Sequence, residues 1–152
     1  MVISIVRERP DHPDARMLIE ELSAYLHPLS PPESQHGYSV EKLLDKQVDF
    51  FVLRVDGQPA GCGGIEVFGN HYAEIKRMYV CPQFRGRGLG KRILDQLTTQ
   101  ARAHGVPALR LETGSMMLDA IALYENQGFL RIPPFGEYKD DPLSFFFEKN
   151  IK

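Results

Sequence analysis

The chain has 152 residues, a formal net charge of -2 and 43% hydrophobic residues, values typical of one globular domain, residues 1–152. A net charge near zero argues against broad binding to nucleic acid or anionic membranes. No run approaches the roughly 20 apolar residues of a membrane span, and the segment Met1 to Pro13 is too charged for a signal peptide. We therefore expect a cytoplasmic protein with reduced cysteines.

The predicted elements begin with a strand and a helix. Val2–Arg7 is rich in β-branched residues and predicts a strand. Apolar residues then recur at helical spacing from Ala15 to Leu26, which predicts an amphipathic helix. The proline-rich segment His27–Tyr38 is too polar for a core, so we expect a loop before a short helix over Val40–Leu44.

Three strands come next, the first two joined by the turn Asp56-Gly57. They are predicted over Asp49–Val55, Ala60–Phe68 and Tyr72–Val80. Strict alternation on the third strand puts Tyr72, Glu74, Lys76, Met78 and Val80 on one face and Ala73, Ile75, Arg77 and Tyr79 on the other. Charges on a central strand are costly unless they have partners or a chemical role, so this strand invites a functional interpretation.

The second half alternates helices and strands. After the glycine- and arginine-rich loop Cys81–Gly90, the apolar stripe from Leu89 to Ala101 predicts a helix that ends before Gly105. The remaining elements are a strand over Ala108–Glu112, a helix over Met116–Gln127, and strands over Phe129–Ile132 and Leu143–Lys149.

The segment Arg85 to Lys91 reads Arg-Gly-Arg-Gly-Leu-Gly-Lys and lies between a strand and a helix. Unpaired N–H groups and the helix dipole bind anions at such a junction. With Arg92, the segment brings four positive charges, those of Arg85, Arg87, Lys91 and Arg92, which suits a pyrophosphate. A Walker A loop would need glycine in place of Arg85 and Ser or Thr in place of Arg92, and a dinucleotide fingerprint would need glycine in place of Lys91.

The spacing Arg85-x-x-Gly88-x-Gly90 resembles the coenzyme A pyrophosphate loop of the GNAT N-acetyltransferase family, and the resemblance extends from about residue 2 to 150. Its other segments are Met-Tyr-Val-Cys-Pro at 78–82, Leu-Glu-Thr-Gly at 111–114 and Ala-Ile-Ala-Leu-Tyr-Glu-Asn-Gln-Gly-Phe at 120–129. It implies an α/β (α+β) fold: a twisted, mixed, mostly antiparallel sheet of six to seven strands with about four helices. The segment 134–144 is similar to small bacterial members of the family.

The resemblance implies direct transfer of an acetyl group from acetyl-coenzyme A to an acceptor, usually an amine, and our leading hypothesis is a small acceptor. The positions that match the family's coenzyme A contacts are Met78, Tyr79, Val80, Arg85, Gly86, Arg87, Gly88, Leu89, Gly90 and Lys91. Met117 stands where many members have an asparagine, so we expect that polar contact to be lost or supplied elsewhere. No metal is expected, and a homodimer is expected by family analogy.

Two proton transfers accompany this reaction. An amine with a pKa of about 10.4 must lose a proton, and the departing thiolate must gain one. Glu74 lies 11 residues before Arg85, the spacing of the catalytic glutamate in histone-type members, and is the candidate base; the alternative is an ion pair between Glu74 and Lys76. Tyr124 matches the family's thiolate-protonating tyrosine, and the alternative is a tyrosine that only packs in the core.

The acceptor in this family meets two loops, here His27–Tyr38 and Pro133–Asp141. Five residues are candidates for a cleft that takes a carboxylate, such as that of an amino acid: His36, Tyr38, Lys76, Arg77 and Tyr138. The alternative for each is a simple surface position. Acetylation of a protein lysine or N-terminus is an alternative that needs an open groove, and a silent coenzyme A sensor is another. Nucleic-acid binding is disfavoured because the loop lacks stacking aromatics. Cys81 is expected to be packed rather than acylated.

Overall fold

The computed structural model describes all 152 residues. Its strands are β1 (Ile3–Arg7), β2 (Asp49–Val55), β3 (Gln58–Phe68), β4 (Tyr72–Val80), β5 (Ala108–Gly114), β6 (Leu130–Ile132) and β7 (Ser144–Asn150). They form one sheet in the order β1-β2-β3-β4-β5-β7-β6. Only β4 and β5 are parallel neighbours.

Four helices flank the sheet: α1 (Pro13–Leu26), α2 (Val40–Asp45), α3 (Leu89–Ala103) and α4 (Leu118–Asn126). The predicted mixed, mostly antiparallel fold is therefore confirmed. The loop predicted between α1 and α2 contains two short 3-10 turns, His27–Leu29 and Pro32–Ser34. None of the helices has both the length and the apolar character that crossing a bilayer requires.

The two faces of the sheet carry different helices. Gly61 and Gly63 of β3 face α3, where a Cβ atom would lie 3.0 Å and 3.1 Å from Ile93. The glycines of β3 thus let α3 pack closely on the sheet. Tyr79 points to the other face, where its hydroxyl donates to Glu21 of α1 at 2.7 Å.

β4 contains a bulge that the sequence pattern did not predict. Between the positions opposite Cys62 and Gly64 of β3, β4 has one extra residue, and Arg77 has a positive φ of 54°. One extra residue reverses the side-chain faces of everything after it. The strict alternation predicted for β4 is therefore wrong after Lys76: residues 78–80 lie on the faces opposite to those expected.

β4 and β5 separate along their length. They share two registered pairs, Ala73 with Leu109 and Glu74 with Arg110. Beyond these pairs the two strands diverge, so the later residues of β4 have no partner strand on that side. The resulting gap in the sheet connects its two faces.

Candidate active site

Two cavities meet at the gap between β4 and β5. The first, of about 720 Å³, lies beside the glycine-rich loop and is called here the glycine-loop groove; it is lined by residues 78–80, the loop and the start of α4. The second, of about 210 Å³, is called the charged pocket and is lined by residues 74–78, 111–117 and the loop before α2. Six residues line both cavities: Leu22, Met78, Met116, Met117, Ala120 and Tyr124.

The glycine-rich loop presents a row of free backbone donors. No backbone N–H from Gly86 to Lys91 donates to a backbone acceptor, and Arg92 is the first residue of α3 that does so. α3 begins at Leu89 without a side-chain cap. Gly86 and Gly88 have φ angles of 80° and 73°, which side chains disfavour. Free donors at the positive end of a 15-residue helix fit a pyrophosphate.

The cationic side chains of the loop differ in position. Arg85 and Lys91 line the groove, and Arg85 Nε donates to the carbonyl of Val80 at 3.0 Å. The guanidinium of Arg87 instead lies 5.4 Å from the ring centroid of Phe84 and does not line the groove. Every other residue predicted to contact coenzyme A lines it.

Tyr124 stands where the two cavities join. Its side chain is only 6% exposed, and its ring packs 5.6 Å from that of Phe129. The hydroxyl donates to the sulfur of Met78 at 3.7 Å. Burial raises the pKa of Tyr124 above its ordinary value, and the charge of Glu112 adds to the rise. The phenol therefore stays protonated across the neutral range.

Two other residues near the gap offer no reactive group. Met117 is the N-cap residue of α4 and makes no side-chain cap hydrogen bond. Cys81 is buried, and burial, with a contribution from Glu21, raises the pKa of its thiol to about 12, so it stays a thiol at neutral pH. No group of three or more His, Cys, Asp or Glu side chains is placed to hold a metal ion.

Glu74 is buried in the wall of the charged pocket. Its Oε2 lies 2.9 Å from Lys76 Nζ and accepts a hydrogen bond from the Tyr138 hydroxyl at 2.5 Å. Lys76 Nζ also lies 4.0 Å from the ring centroid of Tyr38. Burial raises the pKa of Glu74, while Lys76 acts in the opposite direction. The ion pair with Lys76, one of the two predicted interpretations, is therefore present.

The charged pocket brings together all five residues predicted to contact the acceptor: His36, Tyr38, Lys76, Arg77 and Tyr138. Two loops that are distant in sequence meet over it. Ser34 Oγ donates to Asp141 at 2.6 Å, and the His36 ring stands edge-on to Tyr138 with 5.2 Å between centroids. Tertiary contacts thus close the pocket on the side of these loops.

Arg77 is held mainly by helix α1. Its Nη2 donates to the carbonyl of Ile19 at 2.9 Å and to the Ser23 hydroxyl, while its buried Nε has no partner. Burial lowers the pKa of this guanidinium. A Cβ on Gly37 would collide with its Nη1, so the guanidinium is wedged between α1 and the loop before α2. Because Nη2 already donates to α1, Arg77 has a structural role. It is less free to bind a carboxylate of the acceptor than the sequence predicted.

Glu112, at the end of β5, is a pocket residue that the sequence analysis did not nominate. It is half-buried and accepts a hydrogen bond from Ser144 Oγ at 2.8 Å. Burial raises its pKa to about 7; the Ser144 hydrogen bond acts against the rise and the charge of Glu74 adds to it. The signal that singled out Glu74, a charge within an interior strand, applies equally to Glu112.

The chain matches the model of the acetyltransferase (GNAT) family over residues 15–129. A relative from Azospirillum brasilense, named IAA acetyltransferase, is 44% identical over 150 residues, 98% of each chain. A candidate acyl-CoA N-acyltransferase from Klebsiella pneumoniae superposes with a TM-score of 0.85 at 32% identity, over 99% of each chain. PaiA N-acetyltransferase from Thermoplasma acidophilum, solved with coenzyme A, shares the fold with a TM-score of 0.76 at 20% identity, over 99% of each chain. As predicted, the chain belongs to the acetyltransferase (GNAT) family, whose members transfer acetyl groups from acetyl-coenzyme A.

Proposed function

We propose that this chain is an N-acetyltransferase that moves an acetyl group from acetyl-coenzyme A directly to the amine of a small acceptor, such as an amino acid or a similar metabolite. The observation that carries the proposal is the gap between β4 and β5, where the glycine-loop groove meets the charged pocket. A donor in the groove and an acceptor in the pocket would meet there.

The glycine-loop groove supports the donor half of the proposal. The free N–H groups of Gly86 to Lys91 and the positive end of α3 would hold the pyrophosphate, with added charge from Arg85. The backbone of residues 78–80, which has no partner strand at the gap, would bind the extended arm of the coenzyme. When bound, acetyl-coenzyme A supplies the acetyl thioester.

Tyr124 would hold the proton that the leaving sulfur requires. Its hydroxyl is protonated at neutral pH because burial raises the pKa of the phenol. The hydroxyl already donates to a sulfur atom, that of Met78, at the junction of the cavities. This contact supports Tyr124 as the general acid.

The contacts of Glu74 favour its role in an ion pair over that of the base. Its Oε2 forms an ion pair with Lys76 and accepts a hydrogen bond from Tyr138, and a buried carboxylate that loses a cationic partner is strongly destabilised. Glu74 would then order Lys76 and Tyr138 along the pocket wall. The acceptor of the amine proton would be a different group.

The enclosure of the charged pocket supports a small acceptor. The hydrogen bond between Ser34 and Asp141 joins two loops over a cavity of about 210 Å³, whereas a protein substrate needs an open groove for its chain. A cytoplasmic homodimer remains the expectation for the molecule as a whole, and sedimentation of the purified protein measures its oligomeric state.

A screen of thiol release from acetyl-coenzyme A tests the proposal. The panel holds amines, amino acids and short peptides, and coenzyme A binding is measured in parallel by calorimetry. We expect binding, and release with small amines. Release with peptides alone would indicate protein acetylation, and binding without release would indicate a coenzyme A sensor.

A further inference from the structure

We infer that Glu112 is the general base of the charged pocket, the group that takes the proton from the acceptor amine. The inference rests on the proposed function, because a base is needed only if an amine reacts in this pocket. The sequence resemblance placed Glu112 in a family-like segment without giving it a role.

The position of Glu112 follows from the register of the strands. Glu74 pairs with Arg110 across the β4–β5 contact, and Glu112 lies two residues further along β5 on the same face of the sheet. Because β4 and β5 part after Arg110, Glu112 lies at the edge of the gap. Both carboxyl groups line the charged pocket, and Glu112 is the one whose charge acts on the phenol of Tyr124.

Of the two carboxyl groups, Glu74 and Glu112, only Glu112 is free to accept a proton from the amine. Glu74 is engaged by Lys76 and Tyr138. Glu112 forms no salt bridge, and its one side-chain hydrogen bond comes from the Ser144 hydroxyl to Oε2 at 2.8 Å. A hydroxyl both donates and accepts, so buried Ser144 can serve the charged and the protonated form of Glu112 alike.

The surroundings of Glu112 also suit proton uptake near neutral pH. Burial raises its pKa to about 7; the Ser144 hydrogen bond and the charge of Lys76 act against the rise, and the charges of Glu74 and Asp141 add to it. The pocket also holds three phenols, those of Tyr38, Tyr124 and Tyr138, which stay protonated because burial raises their pKa. It holds the imidazole of His36 as well, whose pKa is lowered, mainly by burial. A base whose pKa lies near the working pH is the most effective.

The proton balance of the step is complete. Glu112 takes one proton from the ammonium group and passes it to water. The nitrogen then forms a bond to the acetyl carbon as the carbon–sulfur bond breaks, and Tyr124 gives its proton to the sulfur. The second proton that the nitrogen loses, as the amide forms, restores the hydroxyl of Tyr124.

The test compares Glu112→Gln with Glu148→Gln. Glu148 is a matched control because it lies on the pocket side of the sheet, paired with Arg110 at 2.7 Å, but does not line the pocket. We expect Glu112→Gln to lower kcat/KM for the amine about 100-fold or more and to abolish the fall in kcat/KM on the acidic side of about pH 7. Glu148→Gln keeps both the rate and the pH profile, and coenzyme A affinity is unchanged in both variants.

A thermal measurement reports on Glu112 without turnover. A carboxyl whose pKa is higher in the folded than in the unfolded state binds more protons when folded, so its contribution to stability falls as pH rises from about 4.5 through about 7. Glu112→Gln removes this cost. Its Tm should exceed that of the wild type by a few degrees at pH 8 and match it at pH 5. An equal Tm difference at both pH values would overturn the inference.

The outcomes separate the two proposals. If the wild type acetylates amines and Glu112→Gln keeps both its rate and its acidic limb, the assignment of Glu112 fails while the proposed function stands. If the wild type binds coenzyme A but releases no thiol with any amine, the proposed function fails first, and the base role fails with it.

Discussion

The glycine-loop groove and the charged pocket share six lining residues but are built in different ways. The groove offers backbone N–H groups with no protein partner, most of them from the single segment Gly86–Lys91. The pocket offers side chains from separate segments that hold one another, such as Glu74 with Lys76 and Tyr138. A backbone site needs local conformation, whereas a side-chain site needs the whole tertiary structure, so the two should respond differently to substitution.

The largest expected effect is in the pocket, where removing one partner should unbalance the others. Lys76→Met leaves Glu74 buried without its cation, and we expect a loss of about 3–5 kcal/mol in the free energy of unfolding at pH 8. Burial already raises the pKa of Glu74, and removing Lys76 raises it further. Folding of the variant then takes up a proton, so the loss should shrink as pH falls to 5. Urea unfolding at both pH values measures this.

A second substitution controls for the lost lysine itself. Adding Glu74→Gln to Lys76→Met removes the unpaired charge, and the double variant should regain stability at pH 8. A loss that is equal at both pH values, and that persists in the double variant, would show that the pocket does not depend on the ion pair.

The next effect lies where the two cavities join. Tyr124→Phe removes the proton donor but keeps the buried ring, so we expect kcat to fall about 100-fold with KM and coenzyme A affinity unchanged. Tyr72→Phe is the matched control, because Tyr72 lines neither cavity. Steady-state kinetics of thiol release measure both. An unchanged kcat for Tyr124→Phe would leave this tyrosine with a packing role only.

A smaller effect is expected in the groove, where the backbone is the recognition element. Gly88→Ala and Gly105→Ala place a methyl group at similar positive φ angles, 73° and 76°, with no atom within 4 Å of either Cβ. Each should cost about 1–2 kcal/mol of stability. Only Gly88→Ala should also weaken coenzyme A binding. A strain of this size in the binding loop corresponds to about a tenfold loss of affinity, which calorimetry measures. Equal affinities would refute a backbone-built groove.

The smallest effect concerns the loops that close the pocket. Ser34→Ala removes the hydrogen bond to Asp141, worth about 1 kcal/mol, and should raise KM for the acceptor about threefold to fivefold by the same free energy. Affinity for coenzyme A should not change. Ser4→Ala, at an exposed position of β1, is the control. A shift in coenzyme A affinity with Ser34→Ala would mean that the two cavities are not separable.

The sequence predicted most of the groove because its determinants are contiguous. Residues 85–91 carry the glycines and charges in one run, and the apolar stripe of α3 follows directly, so local rules placed the donors correctly. The helix and strand order was predictable for the same reason: turn residues such as Asp56-Gly57 separate segments of clear periodicity.

The pocket was predictable only as a set of residues, not as a set of contacts. Nothing local links Glu74 to Tyr138, which lie 64 positions apart, and no pattern signals the extra residue at Arg77. A charge within an interior strand marks Glu74 and Glu112 alike, and which of the two carboxyl groups lacks a cationic partner is a tertiary property. The contribution of Arg77 to α1 packing was invisible for the same reason.

The bulge at Arg77 has a practical consequence for changing the range of acceptors. Because it reverses the side-chain faces midway along β4, Glu74 and Lys76 line the charged pocket only, while Met78 also reaches the groove. Paired changes before the bulge, such as Lys76→Met with Glu74→Gln, would therefore alter the acceptor side while the donor side is kept. Inserting or deleting a single residue in this stretch would instead exchange the two sets of side chains and disable both sites at once.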